Sequence, residues 1–422
     1  MPLKPAFVAK SISFGHNFLR VLWGDGARSL YPASWLRVSV RDSAYFEPNS
    51  LLYRPEHIEF AAKQLPLVDA KLRDDGGAVQ LSWNDHATEY DASWLRAQDG
   101  GEASVAVKPP SERVLWDGSA RIPTFNYAER ETRKLEWMTA LKNYGLVYIE
   151  DTPTTREGLL DVLHLIGVVK QRYHPDDVYV VESLRKEIRA KVDFSYGGDY
   201  LNPHTDTSTY LPPTRLDCFL GQIYDAPVRD TTNFFVDGYR VMADMRREHP
   251  GAFDVLTSVP ARGGRRRLTV EEDCTPEELK RYHWDTLIES PYVVLNDDGS
   301  VKWVQFAWTK RAGFSFWKYD DETLARHNVA YELLHRMMRD ERYHARVVFR
   351  PGVLAIFDNW RLTHGRHGVH PTTRRRMLGA FMSEDIWRSR WRLIHAEQSG
   401  LEGKWLYGCT DEALEILAGR NE

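Results

Sequence analysis

Cysteine is scarce: Cys218, Cys274 and Cys409 are the three in 422 residues, too few and too scattered for a disulfide framework, so a reducing compartment is the expectation. No apolar run reaches membrane length, and 56 basic against 60 acidic residues leave a formal net charge of −4. Neither a membrane nor a general nucleic-acid partner is therefore expected. The first 24 residues lack acids and carry Lys4, Lys10 and Arg20, as a mitochondrial presequence would. The folded repeat begins near residue 19 and leaves little to remove, so the cytoplasm is expected rather than the mitochondrial matrix. At 42% hydrophobic and a length generous for one domain, the chain reads as soluble, globular and two-domain.

What the chain does have is a set of metal-ligating residue types. His-x-Asp occurs three times among the 15 histidines, at His174, His204 and His283. His174 precedes Pro175 and two acids, as in an exposed turn, and His283 lies in a charged segment; both read as structural. His204 and Asp206 follow a loop with Gly197, Gly198 and Pro203 and precede Leu216 to Leu220, an expected buried strand. Further on, Pro351 and Gly352 turn the chain into Val353 to Phe357, an apolar strand that ends just before Thr363, His364, Gly365 and Arg366. His364 is thus expected at a strand exit, with His367 and His370 further out in the following loop. Two imidazoles and one carboxylate on one face of a metal leave three positions open, the arrangement used by non-haem Fe(II) oxygenases. A second apolar strand opens at Arg374, Arg375 and Arg376. Three arginines in a row suit a solvated edge, yet a guanidinium is also the side chain best shaped to grip a carboxylate with two parallel bonds.

An internal repeat organises the N-terminal part. Leu19 to Arg37 (LRVLWGDGARSLYPASWLR) and Val79 to Arg96 (VQLSWNDHATEYDASWLR) share a tryptophan, Trp23 and Trp83, and a closing Trp-Leu-Arg. Each copy reads as a hairpin with a tryptophan to pack, more readily a structural β domain than a nucleotide or peptide module. Prolines at 109, 110 and 123 place a linker over residues 106–124, between a small β-rich domain at 1–105 and a larger one at 125–422. In the larger domain, helices through Leu135 to Leu141 and from about Thr155 to Gly167 flank short strands and turns, including a hairpin across Asn296 to Gly299. The fold class expected is mainly β with flanking helices, a double-stranded β-helix or jelly roll.

The segments PHTDT around His204, FFVDGY (Phe234 to Tyr239), FDNWRLTHGR (Phe357 to Arg366) and RRMLGAF (Arg375 to Phe381) together resemble the γ-butyrobetaine and trimethyllysine dioxygenase family. That family lies within the TauD-like Fe(II)/2-oxoglutarate-dependent oxygenases. The resemblance implies Fe(II), 2-oxoglutarate and O2 as cofactor and co-substrates, a homodimer, and hydroxylation of an unactivated C–H in a small cationic substrate. It makes His204, Asp206 and His364 the metal ligands. Arg375, four residues before Gly379, would hold 2-oxoglutarate with Arg366 alongside, leaving Arg374 and Arg376 on the opposite strand face. The family often holds zinc just after the first Trp-Leu-Arg; here Val38 to Ala44 contains no cysteine, so zinc is not expected.

For the substrate, the resemblance implies an aromatic cage of Tyr173, Tyr179, Tyr196 and Phe381 around a trimethylammonium group; the same rings would also serve as ordinary core. The paired asparagines that hold the γ-butyrobetaine carboxylate are replaced by Asp193 and by Ala307 or Trp308. Losing two hydrogen bonds to a charged group costs about 3–6 kcal/mol, which argues against γ-butyrobetaine, whereas an acid at 193 suits an ammonium group. Lys310 and Arg311 would take a carboxylate or phosphonate at the other end of the substrate, or form a solvated charge pair. Trimethyllysine-, betaine- and amine-like substrates, aminophosphonates included, remain open. So do an oxygenase acting on methylated lysine in a protein and a non-catalytic cation-binding module.

Overall fold

The computed structural model describes residues 7–47, 49–50, 52–98, 113–169, 177–182, 200–225, 232–267, 284–307, 313–370, 373–399 and 411. It divides into two compact units, one of residues 1–111 with 389–422 and one of residues 112–388. Among the described residues no helix is long and apolar enough to cross a membrane.

In the first unit the repeat is a pair of three-stranded antiparallel sheets, Ala9–Gly15, Phe18–Trp23 and Arg28–Pro32, then Asp69–Leu72, Ala78–Trp83 and His86–Asp91. Each Trp-Leu-Arg ending lies on a short helix, Ala33–Val38 or Ala92–Gln98. The two copies lock together reciprocally. Tyr31 donates its hydroxyl to the Leu95 carbonyl and Tyr90 donates to that of Leu36, while Trp35 and Trp94 stack at 5.6 Å. The guanidinium of Arg37 lies over Trp83 and that of Arg96 over Trp23. These tryptophans and tyrosines are core, as aromatics at β spacing usually are. Beyond residues 38–44, Tyr45 stacks on Phe60 at 4.1 Å and His86 packs against both with Nε2 on Asp42.

The second unit is built on two sheets. The larger runs Tyr179–Glu182, Arg374–Met382, Leu216–Asp225, Leu354–Asp358, Leu146–Glu150, Thr124–Asn126; the smaller runs Leu201–His204, Leu362–Arg366, Asn233–Asp237, His344–Val347. All neighbours are antiparallel except the Thr124–Asn126 edge strand. Alternate residues of both sheets meet in one apolar cluster: Leu146, Phe219, Phe357 and Met377 from the larger, Phe235, Ala345 and Leu362 from the smaller. Two antiparallel sheets sharing an interior in this strand order form the jelly roll that the pattern of short strands implied. Helices Gly238–Glu248, Pro250–Ser258 and Asp321–Arg339 bury their apolar stripes with Phe234 and Val236 of the smaller sheet.

Residues 113–123, expected as linker from their prolines, are instead tied into this unit. Trp116 donates its backbone N–H to Asp237 and its indole N–H to the Tyr144 carbonyl. The physical reason is a buried ion pair. Arg361 reaches Asp237 through two parallel bonds, Nε to Oδ1 at 2.9 Å and Nη2 to Oδ2 at 2.7 Å, and also donates to the carbonyls of Asn143 and Val114. The two side chains are 1% and 0% exposed. Burial opposes the charge, but the Asp237 carboxylate outweighs it and holds the guanidinium above its usual range. Asp237 also caps the Gly238–Glu248 helix by accepting from Tyr239 N. Gly145, at φ 75°, closes the Lys134–Tyr144 helix with room for the Arg361 side chain, whose Cδ would stand 2.8 Å from an added Cβ.

Removing one partner of such a pair strands a buried charge, at about 3–5 kcal/mol. Arg361→Met is therefore expected to lower unfolding stability by about that much, read as a drop in urea midpoint; a loss below about 1 kcal/mol would contradict this account of the pair.

Candidate active site

His204 is the last residue of its strand and pairs directly across from His364 in the neighbouring one. Register thus does what sequence distance conceals, setting the two imidazoles side by side with ring centroids 4.4 Å apart. His364 is not at a strand exit as expected: it is the central residue of the short strand Leu362–Arg366, gripped on both sides by Leu201–His204 and Asn233–Asp237. The tight turn Asn359–Arg361 separates it from the preceding strand, and the sequence pattern gave residues 362–366 no strand of their own.

Asp206 lies beyond its strand, so alternation does not aim it; a clamped turn does. Thr205 N donates to the Phe306 carbonyl at 2.7 Å and its Oγ1 accepts from Phe306 N at 3.0 Å. Gln305 Nε2 donates to the carbonyls of Ser208 and Tyr210. The decisive clamp is Asn359, fully buried. Its Oδ1 accepts from Asp206 N at 2.8 Å, and its Nδ2 donates to the carbonyls of Asp206 and Thr214, both at 3.0 Å. Thr207, at φ 52°, makes the turn that follows. Sequence reasoning placed Asn359 inside a motif without giving it a task; an amide beside a ligand-bearing strand was the available signal.

Nε2 of His204 stands 3.6 Å from Oδ1 of Asp206, and ligand atoms of His204, Asp206 and His364 all lie within 4.8 Å of one another. Nδ1 of His204 is 2.9 Å from the Asn202 carbonyl. A carbonyl only accepts, so Nδ1 carries the proton and Nε2 keeps its lone pair for a metal. Two neutral imidazoles and a carboxylate suit Fe(II).

Arg375 faces the interior while Arg374 is exposed. Its Nη2 meets Sδ of Met377 at 3.3 Å and its Nε has no hydrogen-bond partner among the described residues. Burial, and then the neighbouring Arg366 guanidinium, push its basicity down to about 9. Arg366 is also buried, on the strand that carries His364. A buried cation pressed by a second cation is a site that an anionic ligand completes.

Of the expected cage, Tyr173 and Tyr196 lie outside the described residues, as do Asp193, Trp308, Lys310 and Arg311. Tyr179 and Phe381 do come together, but as a stacked pair with centroids 5.0 Å apart. The Tyr179 ring lies over Gly379, where an added Cβ would stand 2.3 Å from its Cζ, and its hydroxyl donates to Asp217 at 3.2 Å. Asp217 was passed over inside an apolar run, although an acid within Leu216 to Leu220 was itself a signal. It is 0% exposed; burial above all, then the Asp206 charge, raises it well above the usual carboxylate range.

An iron-type ligand set inside a jelly roll, with a buried arginine on the larger sheet, defines the class as a non-haem oxygenase. The model of the taurine catabolism dioxygenase TauD, TfdA family matches residues 109–381, and the chain belongs to that family. It is a 2-oxoglutarate-dependent dioxygenase, with Fe(II), 2-oxoglutarate and O2 as its cofactor and co-substrates. Gamma-butyrobetaine dioxygenase of Pseudomonas sp. (strain AK-1) is 25% identical over 401 residues, covering 91% of this chain and 95% of that protein. Trimethyllysine dioxygenase of Meyerozyma guilliermondii is 22% identical over 415 residues, with the same coverage of 91% and 95%. Among solved structures, asparagine oxygenase in complex with Fe(II), 2S,3S-3-hydroxyasparagine and succinate matches with a TM-score of 0.43 and 13% identity, over 64% of this chain and 81% of that one.

Two outcomes follow from this geometry. Asn359→Ala removes the clamp on Asp206 and should weaken Mn(II) or Fe(II) binding about 10–100-fold in anaerobic titration; unchanged affinity would mean that the turn holds itself. Gly379→Ala drives a methyl group into the Tyr179 ring and should cost about 1–3 kcal/mol of stability, whereas a variant as stable as the parent would refute the ring's position.

Proposed function

We propose that the protein hydroxylates an unactivated C–H of a small cationic substrate, with His204, Asp206 and His364 holding Fe(II) and Arg375, supported by Arg366, gripping the distal carboxylate of 2-oxoglutarate. The observation that carries this is the convergence of the three donors in an interior that also buries Arg375, whose guanidinium an anion would complete. When bound, Fe(II), 2-oxoglutarate and O2 supply the oxidising power that replaces a C–H hydrogen with hydroxyl. The chain's own residues do the rest. The Asn202 carbonyl fixes the His204 tautomer, Asn359 fixes the Asp206 backbone, and the strand pairing fixes His364. Asp206 fills the position that a halide would need, which favours hydroxylation over halogenation. The apolar interior around Phe219, Phe235 and Phe357 keeps water from the reacting centre.

Support for a cationic substrate comes from the aromatic surface of Tyr179 and Phe381, the acid beside it, and the printed activities of the two relatives. Arg375 would hold 2-oxoglutarate on its side of the three donors, and Phe381 would meet the substrate on the other.

Anaerobic addition of Fe(II) and 2-oxoglutarate should give the metal-to-ligand absorption band of a chelated 2-oxo acid. His204→Ala and His364→Ala should abolish the band. Arg375→Met should raise the 2-oxoglutarate Kd by roughly 100-fold, the worth of a two-bond grip on a carboxylate. A normal band in either histidine variant would refute the ligand assignment, and an unchanged Kd in Arg375→Met would move the grip to another arginine.

A further inference from the structure

The strand Leu216–Asp225 breaks step once. Phe219 pairs with Gly379 and Gly221 with Met377 of the strand Arg374–Met382; the register then shifts, so that Ile223 meets Arg376 and Tyr224 meets Arg375. Strict alternation from Phe219 and Gly221 would turn Ile223 to the interior and Tyr224 away from it. The extra residue is Gln222, whose amide donates to the Thr154 carbonyl at 2.6 Å. Gly221 beside it has no room for a side chain, since an added Cβ would stand 2.3 Å from the Arg350 carbonyl oxygen. A bulge of this kind re-aims the side chain that follows it, and here it brings a phenol onto the sheet face that carries Arg375.

Nothing in the proposed chemistry uses Tyr224. Its hydroxyl oxygen is buried and has no hydrogen-bond partner among the described residues, which leaves a donor unspent. Arg375 is in the same condition. Its Nε has no partner among the described residues, and its Nη2 meets the thioether sulfur of Met377 at 3.3 Å, a weak acceptor. Burial and then the Arg366 cation depress the Arg375 guanidinium, and the Tyr224 phenol acts on it in the other direction. Two donors within electrostatic reach of each other, on one face and both short of an acceptor, are completed by an anion. A carboxylate suits them: it takes two parallel bonds from a guanidinium and still has lone pairs for a hydroxyl.

We propose that Tyr224 is a co-substrate-binding residue, its hydroxyl donating to the distal carboxylate of 2-oxoglutarate alongside Arg375. The preference for a 2-oxo acid that carries this second carboxylate is then set by the phenol as well as by the guanidinium. The proposal rests on the reading of Arg375 given above and deepens it. It also explains why a hydroxyl is kept out of water with no acceptor in the unliganded protein: the group contributes nothing to folding and is satisfied when the co-substrate arrives.

Tyr224→Phe tests it, keeping the ring and removing the hydrogen-bonding atom. Two 2-oxo acids are added anaerobically to the Fe(II) protein and their Kd values read from the metal-to-ligand absorption band: 2-oxoglutarate, and 2-oxopentanoate, which has a methyl group in place of the distal carboxylate. The variant should bind 2-oxoglutarate roughly tenfold more weakly, the worth of one charged hydrogen bond, and 2-oxopentanoate as the parent does. Without ligands its urea midpoint should equal or exceed that of the parent, because a hydroxyl lacking a partner stabilises nothing. An unchanged Kd for 2-oxoglutarate, as a water trapped on the hydroxyl would give, an equal loss for both acids, or a lowered midpoint would overturn the proposal. Arg375→Met separates it from the reading beneath. Weaker 2-oxoglutarate binding in Arg375→Met, with an unchanged Kd in Tyr224→Phe, leaves Arg375 in place and removes Tyr224. An unchanged Kd in Arg375→Met, or no band in the parent, brings down both.

Discussion

The buried pair of Arg361 and Asp237 is the constraint on which the catalytic unit depends. By itself such a pair contributes little net stability, because taking two charges out of water costs about as much as their attraction returns. What it supplies is uniqueness. One guanidinium joins the end of a strand, the start of a helix, the C-terminus of another helix at Asn143 and the incoming chain at Val114. No apolar side chain could satisfy those carbonyls at once. Arg361 also ends the tight turn that begins at Asn359, so whatever fixes Arg361 fixes the amide that clamps Asp206 and the strand that carries His364. The metal-binding geometry is thus inherited from a structural ion pair a few residues away, and FDNWRLTHGR is one mechanical piece: Asp358 holds Arg215, Asn359 holds Asp206, Arg361 holds Asp237, and His364 and Arg366 face the interior.

Much of this was legible in the sequence. The helices closed by Gly145 and Gly167, the apolar strands from Leu216 and Leu354, and the hairpin across Asn296 to Gly299 all carry local signals that the structure follows. The three donors were recognisable because their residue types and flanking turns are specific. Residues whose role depends on non-local register were not legible. His364 sits within a strand rather than after one, since its two strand partners come from residues 201–204 and 233–237. Asn359 and Asp217 act on groups more than a hundred and about forty positions away, respectively, and no local pattern announces that. The stretch 113–123 has a linker's composition, but its backbone is claimed by Asp237 and Arg361, which only the fold brings near.

The interior is chemically asymmetric, and that asymmetry orders the site. Two buried guanidiniums, Arg375 and Arg366, lie toward one end; Asp217, Tyr179 and Phe381 lie toward the other, with the three metal donors between. A charge held in a low-dielectric interior is costly without a partner of the other sign, and an anionic co-substrate would supply one at Arg375.

A crystal structure grown without oxygen in the presence of Fe(II) and 2-oxoglutarate tests the central claim most directly. The account predicts one metal ion bound by Nε2 of His204, a carboxylate oxygen of Asp206 and a ring nitrogen of His364, with the distal carboxylate of 2-oxoglutarate on Arg375. A metal ion bound elsewhere, or a co-substrate carboxylate resting on Arg374 or Arg376, would contradict it.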